Sequence, residues 1–116
     1  MSQWIAVAGI DELNPGAMKA VSAGEKEILL ARVGDSYYAV SNRCPHLGGK
    51  LSEGKLEGTV VTCPRHGSQF DLRDGHVIRW TTFTGLVAKV SQVVKSPRPI
   101  TTYKVKTEGN AVLIEV

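Results

Sequence analysis

An antiparallel all-β fold with one short helical interruption is what this 116-residue chain predicts. Three observations carry the prediction. Short runs of β-branched and aromatic residues recur along most of the sequence, several of them alternating with polar residues. Turn residues, including Gly-Asp, Asp-Gly and Glu-Gly-Asn, fall between these runs at hairpin spacing. Twelve glycines suit the many tight turns that such a fold requires.

In chain order, QWIAVAG and AMKAVSA read as the first two strands. ILLARV and SYYAV flank Gly34 and Asp35 and predict a tight hairpin. FDLR and HVIR flank Asp74 and Gly75, a stronger signal because Asp-Gly is a favoured turn pair. ITTYKVKT and AVLIEV flank Glu108, Gly109 and Asn110 as a third hairpin. In the first of these runs Tyr103 and Val105 alternate with Lys104 and Lys106, the period of a half-buried strand. About nine short strands are expected in all. The helical interruption lies near 84–96, where Leu86, Val87, Val90, Val93 and Val94 form an apolar stripe. Thr84 is placed to cap it, and Lys95, Ser96 and Pro97 to end it. Four valines and a leucine would give it a packing face, as a cover for the sheets or a surface for a partner; a disordered loop is the remaining reading.

The length allows one ordinary core. No apolar run approaches the roughly 18 residues that cross a bilayer, and the opening MSQWIAVAGIDEL lacks a basic segment followed by an apolar one. A cytoplasmic protein is therefore expected. A net charge of +3 is too mild for a nucleic-acid binder; it reads first as an ordinary solvated surface, and otherwise accords with an acidic protein partner.

The chemistry-bearing residues are concentrated. Cys44 and Cys63 are the two cysteines of the chain, and each has a histidine close behind it: His46 in RCPHLGGK and His66 in TCPRHGSQF. The pattern is C-x-H, sixteen residues, then C-x-x-H. A disulfide between the cysteines would not persist in a reducing compartment. One zinc ion is a possible occupant, but structural zinc sites usually group ligands two to four residues apart and pair cysteine with cysteine. Here each segment offers one of each, and a one-residue gap is awkward for a single tetrahedral ion. Two adjacent metal atoms suit it better. The remaining histidine, His76, follows the Asp-Gly turn and reads as a surface residue.

CPHLGG and CPRHGSQFD closely resemble the two cluster-binding loops of the Rieske iron–sulfur family. The surrounding strand pattern resembles that family's domain along nearly the whole chain, apart from the insertion near 81–96. The resemblance implies a single Rieske domain spanning 1–116, with antiparallel sheets in a sandwich or barrel and the cluster loops at one tip. It implies one [2Fe-2S] cluster, with Cys44 and Cys63 on one iron and His46 and His66 on the other. Neutral histidines leave the oxidised centre uncharged, and adding an electron gives only −1, so reduction is easier than in an all-cysteine cluster.

The same resemblance assigns roles to neighbours. Gly48, Gly49 and Gly67 would let backbone amides approach the sulfides, Leu47 would exclude water, and Pro45 and Pro64 would stiffen the loops. Pro99 would belong to a third covering loop. Arg65, between ligands, is expected to face solvent. High-potential relatives clamp their loops with a disulfide, whose positions hold Gly49 and Arg65 here. Ser68 matches a serine that donates to a sulfide, but Phe70 stands where a tyrosine would donate to a cysteine sulfur. With fewer donors, the potential is expected near the low end of the family range, roughly −150 mV.

A cluster of this kind moves one electron. With His76 alone left over, the chain lacks the two further histidines for a mononuclear iron site, and it shows no GxGxxG element for a nucleotide cofactor. The resemblance therefore implies an electron-transfer protein, not an enzyme. It would shuttle electrons from a flavoprotein reductase to a terminal oxygenase or another redox enzyme, with no nucleic-acid or membrane partner. Two alternatives stay open: a small subunit like that of nitrite reductase, bound permanently to a larger partner, and a non-redox zinc-binding interaction module.

Overall fold

The computed structural model describes residues 3–44, 49–64, 67–79 and 99–116. The helix expected near 84–96, and with it the question of what that segment covers, lies outside the described residues. Eleven strands are present among those described. They are β1 (Trp4–Gly9), β2 (Met18–Ala23), β3 (Lys26–Val33), β4 (Ser36–Ser41), β5 (Lys55–Glu57), β6 (Val60–Thr62), β7 (Gln69–Asp71), β8 (Val77–Arg79), β9 (Thr102–Tyr103), β10 (Val105–Glu108) and β11 (Ala111–Glu115). They form three antiparallel sheets, ordered β1-β11-β10, β2-β3-β4-β9 and β5-β6-β7-β8. A 3₁₀ turn at Leu51–Glu53 leads into β5.

The expected hairpin at Gly34-Asp35 forms, with Val33 opposite Ser36. So does the one at Gly109-Asn110, with Glu108 opposite Ala111. Two further two-residue hairpins, at Gly24-Glu25 and Gly58-Thr59, join β2 to β3 and β5 to β6. In all four the glycine comes first with a positive φ and the next residue has none, the pattern of a type II′ turn. The Asp74-Gly75 turn also joins paired strands, but through a longer loop than expected, from Leu72 to His76.

One expected strand divides in two. ITTYKVKT is expected as one strand, yet Thr102–Tyr103 pairs with β4 while Val105–Glu108 pairs with β11. The break falls at Lys104, whose carbonyl accepts a hydrogen bond from the Glu115 amide. An alternating run satisfies either sheet equally well, so alternation alone does not locate such a crossing.

The middle sheet is covered on both faces. Ile28, Leu29, Leu30 and Ala31 of β3 are all fully buried. Ile28 and Leu30 pack with Val112, Ile114, Leu13, Val21 and Ala39 in one core. Leu29 and Ala31 point the other way, into a second core with Val40, Leu51, Val61, Phe70 and Leu72. A continuous apolar run is what a strand buried on both faces requires. Cys44 and Cys63 belong to the second core.

Candidate metal centre

Cys44 and Cys63 stand at the ends of strands in different sheets, and both are buried. The first loop leaves β4 and is closed rung by rung. The Cys44 amide donates to the Gly49 carbonyl at 2.8 Å, Arg43 bridges to Lys50, and the Leu51 amide donates to the Asn42 carbonyl at 2.8 Å. The second loop joins β6 to β7, and there the Cys63 amide donates to the Ser68 carbonyl at 2.8 Å. Each cysteine thus closes its loop onto the residue five positions on. His46 and His66 fall inside these closures in the sequence but outside the described residues, as do Pro45, Leu47, Gly48 and Arg65.

Asn42 is the main anchor of the first loop, and nothing in the sequence marked it. Only 1% exposed, it donates through Nδ2 to Glu27 Oε1 at 2.8 Å, and its Oδ1 accepts from the Ser52 amide at 2.7 Å. Its own amide donates to the Glu27 carbonyl. The end of β4, the start of β3 and the 3₁₀ turn are therefore tied together immediately before Cys44. A partner 15 positions away leaves no local pattern that a sequence reading detects.

The second loop has its own supports. Gly67 has a φ of 75°, so a side chain there would be strained, and its amide donates to the Cys63 carbonyl at 3.1 Å. That amide is engaged in the turn. The Gly67 carbonyl accepts from Arg79 Nε at 3.0 Å. Gly54 presses against the loop's base, where a Cβ would come within 1.8 Å of the Thr62 carbonyl oxygen. Neither Arg79 nor Gly54 was singled out from the sequence. Gly54 depends on how β5 pairs with β6, and Arg79 on how β8 pairs with β7.

Of the other expected residues, Ser68 and Phe70 are fully buried, Phe70 in the same core as both cysteines. Gly49 is buried and Pro99 exposed. Beside Pro99, the Ile100 amide donates to the Gly75 carbonyl at 3.0 Å, and a Cβ on Gly75 would lie 2.3 Å from the Ile100 oxygen. Glycine is therefore required at position 75 for close backbone approach as well as for its φ of 79°. His76 is exposed, as expected, and its ring pairs with Asp74. The turn is braced by Asp71, whose buried carboxylate is gripped by Arg73 at 2.8 Å. That hydrogen-bonded guanidinium holds the Asp71 pKa down to about 2.

Across the outer face of the third sheet, Lys55, Thr62, Gln69 and Arg79 are successive register partners. The Gln69 amide nitrogen donates to Thr62 Oγ1 at 3.2 Å, which confirms that the inner pair share a face. A register shift on β7–β8 turns both Ile78 and Arg79 to solvent, and Ile78 is 45% exposed. A cleft of about 550 Å³ opens beside the second loop between Gly54, Lys55, Cys63, Pro64 and Gly67.

Two buried sulfur donors in one core, on loops closed in the same way, fit a centre that takes one thiolate from each loop. The family model for the Rieske [2Fe-2S] domain matches residues 3–108. The chain belongs to the Rieske [2Fe-2S] domain family. The family implies a [2Fe-2S] cluster as cofactor.

Within that family the similarity runs to small carriers. The chain is 33% identical, over 98% of its length and 96% of the relative's, to the ferredoxin component of a naphthalene 1,2-dioxygenase system from Pseudomonas aeruginosa. Among solved structures it resembles the ferredoxin of carbazole 1,9a-dioxygenase from Nocardioides aromaticivorans IC177. The TM-score there is 0.78 with 30% identity, covering 96% of this chain and 95% of the other. It also resembles a chain in a complex of reduced oxygenase and oxidised ferredoxin of carbazole 1,9a-dioxygenase, with TM-score 0.77 and 26% identity over 95% and 99% of the two chains.

Proposed function

We propose that this protein is a one-electron carrier that takes an electron from a reductase and delivers it to a terminal oxygenase. The near-complete, two-way coverage by ferredoxin components of dioxygenase systems carries this reading. In the proposal the chain is one domain, 1–116, holding one cluster, with Cys44 and Cys63 on one iron and His46 and His66 on the other. When bound, such a cluster supplies reversible one-electron chemistry at a potential set by its surroundings.

The residues of the chain do the rest. The paired closures Cys44–Gly49 and Cys63–Ser68 fix both cysteine backbones, so both sulfurs are presented from rigid hairpin ends. Leu51, Val61, Phe70 and Leu72 pack around the cysteines and exclude water from their side of the site. Asn42 and Arg79 hold the two loops from outside. In the proposal the chemistry on an organic substrate belongs to the oxygenase.

Among the described residues no helix is long and apolar enough to cross a membrane. A cytoplasmic location goes with the proposal, since thiolate ligands are kept reduced there. Cell fractionation tests it.

Iron, sulfide and zinc assays on the purified protein, with electron paramagnetic resonance after dithionite reduction, test the central claim. The expected result is two irons and two sulfides per chain and a rhombic signal of low average g, as mixed histidine and cysteine ligation gives. Cys44→Ser should abolish it. A colourless protein with one zinc per chain would overturn the proposal in favour of a zinc-binding module.

A further inference from the structure

The outer face of the β5–β8 sheet carries charged and apolar groups beyond what holding the second loop requires, although Arg79 also donates through Nε to the Gly67 carbonyl. Lys55 and Arg79 end the four-residue row that crosses the sheet at the base of the second loop. Three strand spacings separate them, about 14 Å. Both are exposed, and among the described residues neither pairs with a carboxylate. Between them lie neutral Thr62 and Gln69. Ile78, which the register shift pushes outward, supplies an apolar group beside Arg79. The cleft that reaches Cys63 opens between Lys55 and the loop.

We propose that this face docks an acidic protein surface, with Lys55 and Arg79 each taking a carboxylate on either side of the second ligand loop and Ile78 making the apolar contact. The inference rests on the electron-carrier reading above and adds to it which face meets the partner and with what charge. Two cations separated by neutral residues suit discrete carboxylates on a folded surface. A nucleic-acid backbone would call for a continuous cationic track, and 14 Lys and Arg against 11 Asp and Glu provide little excess for one. At physiological salt the screening length is about 8 Å. The two cations therefore act as separate contacts, and a partner must match both.

The test uses cluster-loaded protein and probes of opposite charge. Reduced protein is oxidised by ferricyanide, which gains the single electron and becomes ferrocyanide, and in parallel by the cation hexaamminecobalt(III). Lys55→Glu, the double variant Lys55→Glu/Arg79→Glu, and a distant pair of equal charge change, Lys104→Glu/Lys106→Glu, are compared. Lys104 lines a groove with Arg73, at the opposite end of β7 from the ligand loop. The Lys55/Arg79 pair should slow ferricyanide by about tenfold at low ionic strength and speed the cobalt complex, with the differences collapsing in high salt. The distant pair should change either rate by no more than about twofold.

Binding of a fluorescent deca-glutamate peptide, read by anisotropy, should weaken several-fold in Lys55→Glu, which leaves the Arg79–Gly67 contact untouched, and in Ile78→Ser should not change. Equal effects from both charge pairs would show that only net charge matters and would overturn the proposal. So would peptide binding unaffected by Lys55→Glu. Protein without a cluster would instead defeat the electron-carrier reading, while the peptide measurement still decides the face.

Discussion

Asn42→Ala tests most directly whether the first loop is held from outside. The substitution removes the acceptor for the Ser52 amide and the donor to Glu27, contacts of 2.7 and 2.8 Å made by a side chain in a fully buried residue. A buried amide left without an acceptor costs about 1–3 kcal/mol. The Glu27 carboxylate is half exposed and regains water, so that contact adds only about 1 kcal/mol. The sum, about 3 kcal/mol, corresponds to a fall in melting temperature of roughly 10 °C for a domain of this size. Thermal unfolding followed by far-ultraviolet circular dichroism measures stability, and visible absorbance on the same sample follows cofactor release.

Because Asn42 stands two residues before Cys44, release should come earlier in the variant, ahead of global unfolding. Asn42→Asp keeps the acceptor for Ser52 but sets a carboxylate against Glu27. Adding Glu27→Gln supplies a donor again and should recover most of the loss. A cost below about 1 kcal/mol for Asn42→Ala, or no recovery in the double variant, would refute the anchoring role.

Three other outcomes are expected. Leu29→Ala and Leu30→Ala should each cost about 2–5 kcal/mol. Only Leu29→Ala, which opens the core containing the cysteines, should also speed cofactor loss in samples matched for stability by temperature. Phe70→Tyr places a hydroxyl in that same core and should raise the midpoint potential measured by protein-film voltammetry, at a packing cost of about 1–2 kcal/mol. An unchanged potential would mean that the hydroxyl does not reach a sulfur. The third concerns acid. Arg73 holds the Asp71 pKa at about 2, below the ordinary aspartate value of about 3.9, so its stabilising contribution is complete above pH ~4 and is lost as pH falls toward ~2. Denaturant unfolding across that window should show a decline of up to about 2 kcal/mol, reduced by solvent around the exposed Arg73, which Asp71→Asn removes.

The hairpins at Gly34-Asp35 and Gly109-Asn110 were legible because their signal is local: a glycine with positive φ between two runs of strand formers. Strands β5 and β6 were missed. KLE and VVT are three residues each, too short for alternation to register, and they are stabilised by joining a sheet and not by their own pattern. The division of ITTYKVKT between two sheets was hidden for the related reason that each half alternates correctly by itself.

By itself the sequence pointed to the family and to the class of carrier. The proposed donors Cys44, His46, Cys63 and His66 are read from two short motifs, a local pattern that a line of letters preserves. The burial of β3 on both faces, which the structure shows, accords with its four consecutive apolar residues. Only the tertiary structure decided how the loops are held and what stands around them. Asn42 meets Glu27 across 15 positions and Arg79 meets Gly67 across 12. Lys55 and Arg79 share a row only because four strands pair side by side, with the register shift on β7–β8 setting Arg79 opposite Gln69. Hydrogen bonds and surface fields depend on distance in space. Where the contacting residues are far apart in the chain, that distance is set by the folding of everything between them.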